Sequence, residues 1–109
     1  MLKDLNIVVS VYNEEEVLSQ FYATLQKELL ALDLTYQIIF VNDGSTDKSM
    51  EILRRISEED QFVTVINFSR NFGHEEAMMA GLDHANARAV ICMDADLQHP
   101  PSHIAQCAG

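Results

Sequence analysis

The sequence predicts an α/β chain, a mostly parallel sheet with helices on both faces. Three observations lead there. Short apolar runs rich in Val and Ile alternate with stretches whose apolar residues recur at helical spacing. Each apolar run stops at a cluster of turn-forming or charged residues. The connections from a helix into the next strand, such as LDLT and SEEDQ, are plain solvated turns, so the polar loops all follow strands.

Leu5–Val11 (LNIVVSV) is rich in β-branched residues and reads as a first strand buried on both faces. Asn13 followed by Glu14, Glu15 and Glu16 predicts a helix start, with an Asn cap and acids against the positive end of the helix dipole. Val17, Phe21, Leu25 and Leu29 follow at i+4 steps, with Leu18, Tyr22 and Leu32 beside them, and the helix should end near Ala31. Tyr36–Val41 is the second strand. NDGSTDKS breaks it, and Ser45 or Thr46 is placed to cap a second helix with Ile52, Leu53 and Ile56 on its buried stripe. Phe62–Phe68 is the third strand, and SRNFGHEE the loop after it. Ala77, Met78, Gly81, Leu82 and Ala85 mark a third helix, in which Gly81 permits close packing on the sheet. Ala89–Met93 is the fourth strand, and Pro100, Pro101 and Ser102 open another helix. A doubly wound sheet of this kind commonly begins in the strand order 3-2-1-4.

At 109 residues the chain holds one domain at most. Seven basic residues against 17 acidic ones leave a net charge of −10, which excludes a nucleic-acid partner, whose phosphates need a basic footprint. The same charge repels free nucleotides, so a phosphate ligand would require a metal ion or a local cation. No apolar run approaches the ~20 residues needed to span a bilayer, and Asp4 interrupts the short one near the N-terminus. These residues are therefore expected to be soluble. Cys92 and Cys107 form no CxxC pair, and Cys92, inside an apolar run, reads as a buried thiol in a reducing compartment.

In a parallel sheet every loop that follows a strand lies on one edge. SVYNEE, VNDGSTD, FSRNFGHEE and MDADLQHPP would gather there, where open α/β sheets bind ligands. Asp94 and Asp96 lie two apart and share a face in an extended segment. Two close carboxylates repel unless a cation or a proton sits between them. Hard oxygen ligands favour Mg²⁺ or Mn²⁺, and Gln98 continues the spacing with a third oxygen. Against this stands the plainer reading of a capping aspartate and a solvated one at a strand end. His99 and His103 are spaced i, i+4, but the prolines between them favour solvated histidines over a zinc site.

The blocks VVSVYNEEE, VNDGSTDKS, SRNFGHEEAMMAGLDHA and MDADLQHPP, in this order, resemble those of family 2 glycosyltransferases. The subgroup of polyprenyl-phosphate sugar transferases is the most similar, as in bactoprenol glucosyltransferases and dolichol-phosphate mannose synthases. The resemblance implies the Rossmann-like half of a GT-A fold and a nucleoside-diphosphate-sugar donor, UDP- or GDP-linked. By carry-over, the segment Val9–Glu14, above all Val9, Tyr12 and Glu14, would line the base and ribose together with Asp43, and Gly44 would let the backbone turn tightly beneath Asp43. Arg70 lies in the block that approaches the phosphates. Asp94, Asp96 and Gln98 hold Mg²⁺ or Mn²⁺ on the diphosphate. The implied reaction is inverting transfer to a polyprenyl-phosphate or glycan acceptor, at the cytoplasmic face of the membrane. The acceptor half that carries catalytic residues in the family is absent, so residues 1–109 are expected to be a donor-binding part that is inactive alone. The alternative is a non-catalytic nucleotide-binding module that self-associates into a homo-oligomer. A sugar-phosphate nucleotidyltransferase is disfavoured, because SVYNEEE is not a Gly-rich loop bearing Arg or Lys.

Overall fold

The computed structural model of the chain describes residues 3–95. The strands are β1 (Lys3–Val11), β2 (Tyr36–Asn42), β3 (Val63–Asn67) and β4 (Ala87–Asp94). Between them run α1 (Leu18–Leu30), α2 (Ser49–Glu59) and α3 (His74–His84). The sheet is parallel throughout, in the order β3-β2-β1-β4, as expected.

The apolar strands lack polar alternation because both faces of the sheet are covered. From β1, Leu5, Ile7, Val9 and Val11 enter a core shared with Leu18, Phe21, Leu25 and Leu29 of α1 and with Leu53 and Ile56 of α2. Val8 enters a second core on the opposite face, with Ile39 and Val41 of β2 and Ala77 of α3. Gly81 is what lets α3 lie on this face. A Cβ there would stand 2.2 Å from Val8 Cγ1.

Both predicted helix starts are corrected. α1 begins at Leu18, not at Asn13. Asn13 has φ 51, outside helical geometry, and its side-chain oxygen accepts from the N–H groups of Thr46 and Asp47. Glu14, Glu15 and Glu16 therefore precede the helix, and Leu18 N–H donates to the Glu14 carbonyl. α2 begins at Ser49, so neither Ser45 nor Thr46 caps it. Ser45 Oγ instead accepts from Asn13 N–H, and Asp47 Oδ1 accepts from Ser49 N–H. α1 stops before Leu32, which is exposed.

Away from the polar edge, the Tyr22 hydroxyl on α1 donates to Asp60 beyond α2, whose other carboxylate oxygen accepts from Phe62 N–H. Burial, with the Asp60 carboxylate beside it, pushes the Tyr22 phenol well above the usual tyrosine range. Cys92 is half-buried on β4, and Cys107 lies outside the described residues. The helix expected from Pro100 lies outside the described residues.

Candidate functional site

Parallel pairing aligns the carboxyl ends of the strands. Val11 stands beside Asn42, Asn42 beside Asn67, and Ser10 beside Asp94. The loops after β1, β2 and β3 meet the end of β4 around a cleft of about 430 Å³. Ser10, Tyr12, Glu14, Asp43, Asn71, Gly73 and Asp94 line it.

Four residues picked out from the sequence meet in this cleft: Tyr12, Glu14, Asp43 and Asp94. Val9 does not. Side chains alternate along a strand, so Val9 goes into the core with Ile7 and Val11 while its neighbour Ser10 faces the cleft. Arg70 is exposed on the third loop and outside the cleft lining, with its guanidinium carbon 4.6 Å from the centroid of the Phe72 ring. Gly44 is not among the lining residues. Asp96 and Gln98 fall outside the described residues. Ser10 falls within the Val9–Glu14 segment expected to line the donor, whereas the sequence does not single out Asn71 and Gly73. Ser10 carried one signal, a hydroxyl near the end of an otherwise β-branched strand; Asn71 and Gly73 carried none beyond their loop.

Asp43 organises the cleft from within. It is 2% exposed. Its Oδ1 accepts from Phe72 N–H at 2.8 Å, and its Oδ2 accepts from Gly73 N–H at 3.0 Å and from Asn71 Nδ2 at 3.1 Å. Asn71 Nδ2 also reaches the Asp43 carbonyl, at 3.2 Å. A carboxylate offers about four lone-pair sites. With three donors already in place, the remaining capacity is on Oδ1. Gly44 then turns with φ +72 so tightly against the third loop that a Cβ would lie 2.2 Å from the Arg70 carbonyl carbon. Gly73, with φ +107, completes the wall.

The first and second loops are joined as well. The N–H groups of Asn13, Glu14 and Glu15 donate to Ser45 Oγ, Ser49 Oγ and Asp47 Oδ2. Partial burial pushes the Asp47 carboxyl upward, but hydrogen bonds from Ser49 and from the Glu15 N–H outweigh it, and the group sits below the usual carboxylate range.

Glu14, Asp43 and Asp94 make the cleft acidic, and none of its described lining residues is basic. The described residues hold no group of three His, Cys, Asp or Glu side chains arranged around a metal ion. The donor set nevertheless consists of hard oxygens, which suit Mg²⁺ or Mn²⁺ and not a soft metal.

Residues 6–109 match the family model described as Glycosyl transferase family 2. The chain belongs to glycosyl transferase family 2. Among its family 2 relatives, the uncharacterized glycosyltransferase YkcC of Bacillus subtilis is 50% identical over 99 residues, which cover 91% of this chain and 31% of that protein. The bactoprenol glucosyl transferase of Shigella phage SfV is 43% identical over 96 residues, 88% of this chain and 31% of that protein. The chain thus spans about a third of the length of the curated relatives it matches. The fold is that of GT-A glycosyltransferases. It superposes on the mannosyltransferase PcManGT from Pyrobaculum calidifontis, solved with GDP-Man and Mn²⁺, with TM-score 0.73 at 22% identity, covering 88% of this chain and 28% of that one. S. aureus TarS 1-349 in complex with UDP-GlcNAc gives TM-score 0.70 at 22% identity, covering 85% and 26%. No helix among the described residues is long and apolar enough to cross a membrane.

Proposed function

We propose that this chain is the donor-binding part of a glycosyltransferase that uses a UDP- or GDP-linked sugar. One observation carries the reading: the cleft at the carboxyl edge of a parallel sheet gathers three carboxylates, those of Glu14, Asp43 and Asp94, in its lining. Such a cleft repels a diphosphate unless a cation comes with it. Asp94, with Asp96 and Gln98 following at i+2 spacing, supplies the oxygens that would hold Mg²⁺ or Mn²⁺. When bound, that ion neutralises the diphosphate and stabilises its charge as a leaving group. Tyr12, 44% exposed at the cleft, offers an aromatic face to the base. Asp43, with its remaining Oδ1 capacity, accepts from the base or ribose.

The bactoprenol glucosyl transferase relatives support a lipid acceptor, and the transfer proposed is to a lipid phosphate or a glycan with inversion at the sugar. On this reading the parent protein works at the cytoplasmic face of a membrane with a polyprenyl-phosphate acceptor. Residues 1–109 supply the donor site, and the reacting groups for the acceptor lie elsewhere in that protein.

Calorimetry with UDP and GDP, with and without Mn²⁺ or Mg²⁺, tests the reading. Binding is expected only with the ion, and Asp94→Asn and Asp96→Ala should each weaken it at least tenfold. Metal-independent binding, or an Asp96→Ala variant that binds like the unmodified chain, refutes the cation role. A second reading, self-association, draws on β4, which ends the strand order with most of its side chains half-buried. A monomer by light scattering at high concentration rules it out.

A further inference from the structure

The proposed donor site depends on where the first loop places Tyr12 and Glu14, and the residue between them is not among those lining the cleft. Asn13 has φ 51 and reaches into the second loop. Its N–H donates to Ser45 Oγ at 3.0 Å. Its Oδ1 accepts from Thr46 N–H at 2.7 Å and from Asp47 N–H at 3.3 Å. The next two N–H groups follow it across, Glu14 to Ser49 Oγ at 2.9 Å and Glu15 to Asp47 Oδ2 at 3.2 Å. Three consecutive amides of one loop are thus held by side chains of the second loop and of the first residue of α2, more than thirty residues away. The Asn13 side chain returns the contact from the first loop.

Two physical points single this residue out. Asn is among the few non-Gly residues that enter the left-handed region at low cost. It also carries a side-chain oxygen short enough to take successive backbone N–H groups of a turn. An Asn here therefore sets both the reversal of the first loop and its docking on the second. Tyr12 and Glu14, flanking it, both line the cleft.

We propose that Asn13 is a positioning residue for the donor site: it contacts no ligand, and it holds Tyr12 and Glu14 in binding geometry by clasping the β2–α2 loop. The effect on donor binding rests on the function proposed above, whereas the clasp itself does not.

Amide hydrogen exchange on the full chain, paired with UDP and GDP titrations in Mg²⁺, separates the two. Asn13→Gly keeps the backbone freedom and deletes the acceptor. Asn13→Asp keeps the acceptor, and about 0.3 M salt screens its added charge. In Asn13→Gly the Thr46 and Asp47 amides should exchange about tenfold faster, and nucleotide affinity should fall about fivefold or more. Asn13→Asp should restore both to within about threefold. Unchanged protection in Asn13→Gly overturns the proposal, as does lost protection with unchanged affinity, or an Asp variant as impaired as the Gly variant. If Asn13→Gly does not fold, Ser45→Ala decides. It removes the acceptor of the Asn13 N–H alone, whose exchange should quicken about fivefold, and an unchanged rate overturns the clasp. An unmodified chain that binds neither nucleotide sinks the donor assignment, while the exchange pattern still decides the clasp.

Discussion

Substituting Gly44 by Ala tests how the cleft wall is built. The added Cβ would meet three backbone atoms of the third loop, the Arg70 carbonyl carbon at 2.2 Å, Asn71 N at 2.4 Å and Arg70 O at 2.6 Å. Backbone cannot rotate away as a side chain would, so the two loops must separate. Overpacking of this kind costs about 1–3 kcal/mol. The residue also sits at φ +72, where a side chain adds about 1–2 kcal/mol of strain. The sum, about 2–5 kcal/mol, is a large share of the ~5–15 kcal/mol that holds a domain folded. The melting temperature should fall by roughly 10 °C or more. Urea unfolding of the full chain measures the loss. Gly73→Ala is the control, because Gly73 has φ +107 but nothing within 4 Å of its Cβ position; it should bear strain without the clash and lose less. Adding Arg70→Ala to Gly44→Ala should not relieve the defect, since the obstructing atoms are backbone. A Gly44→Ala chain within about 0.5 kcal/mol of the original, or one rescued by Arg70→Ala, refutes the reasoning.

Asp43→Asn should cost about 1–3 kcal/mol in the same unfolding assay, because its NH₂ must face an N–H of Phe72 or Gly73 or the amide of Asn71 in a buried site. Gly81→Ala gains about 1 kcal/mol of helix propensity but drives a methyl to 2.2 Å from Val8 Cγ1, so a net loss is expected, and Val8→Ala should recover part of it in a double-mutant cycle. For pH, the folded state depresses the Asp47 carboxyl, so its stabilising contribution is present above the ordinary value of 3.8 and lost as pH falls through and below it. Exchange of the Glu15 and Ser49 amides, which bond to that carboxylate, should quicken there first. The Tyr22 phenol is raised in the folded state, so its contribution is full below its ordinary value of 10.0 and is lost as pH rises past it. Tyr22→Phe should flatten that alkaline decline, which thermal unfolding against pH reads directly.

The alternation of strands and helices and the parallel sheet could be read from the chain, because they follow from local periodicity; the strand order came from the arrangement common to doubly wound sheets, not from any residue. The gathering of Tyr12, Glu14, Asp43 and Asp94 on one edge followed in turn, since each lies at or just after the carboxyl end of a strand. What tertiary structure decided is how the loops spend their polar groups. Asn13 has the signature of a helix cap, yet its oxygen serves the second loop, and α1 starts only at Leu18. Ser45 resembles a cap for α2 and instead receives the Asn13 amide. Val9 and Ser10 differ by one step along β1, and only the packing of α1 and α3 on opposite faces assigned the first to the core and the second to the cleft. Asp43 looks like a ligand-facing carboxylate in a turn, but three donors from Asn71, Phe72 and Gly73 converge on it from another loop. Local sequence encodes spacing and backbone preference; which distant donor reaches an acceptor depends on loops that meet only once the sheet has closed.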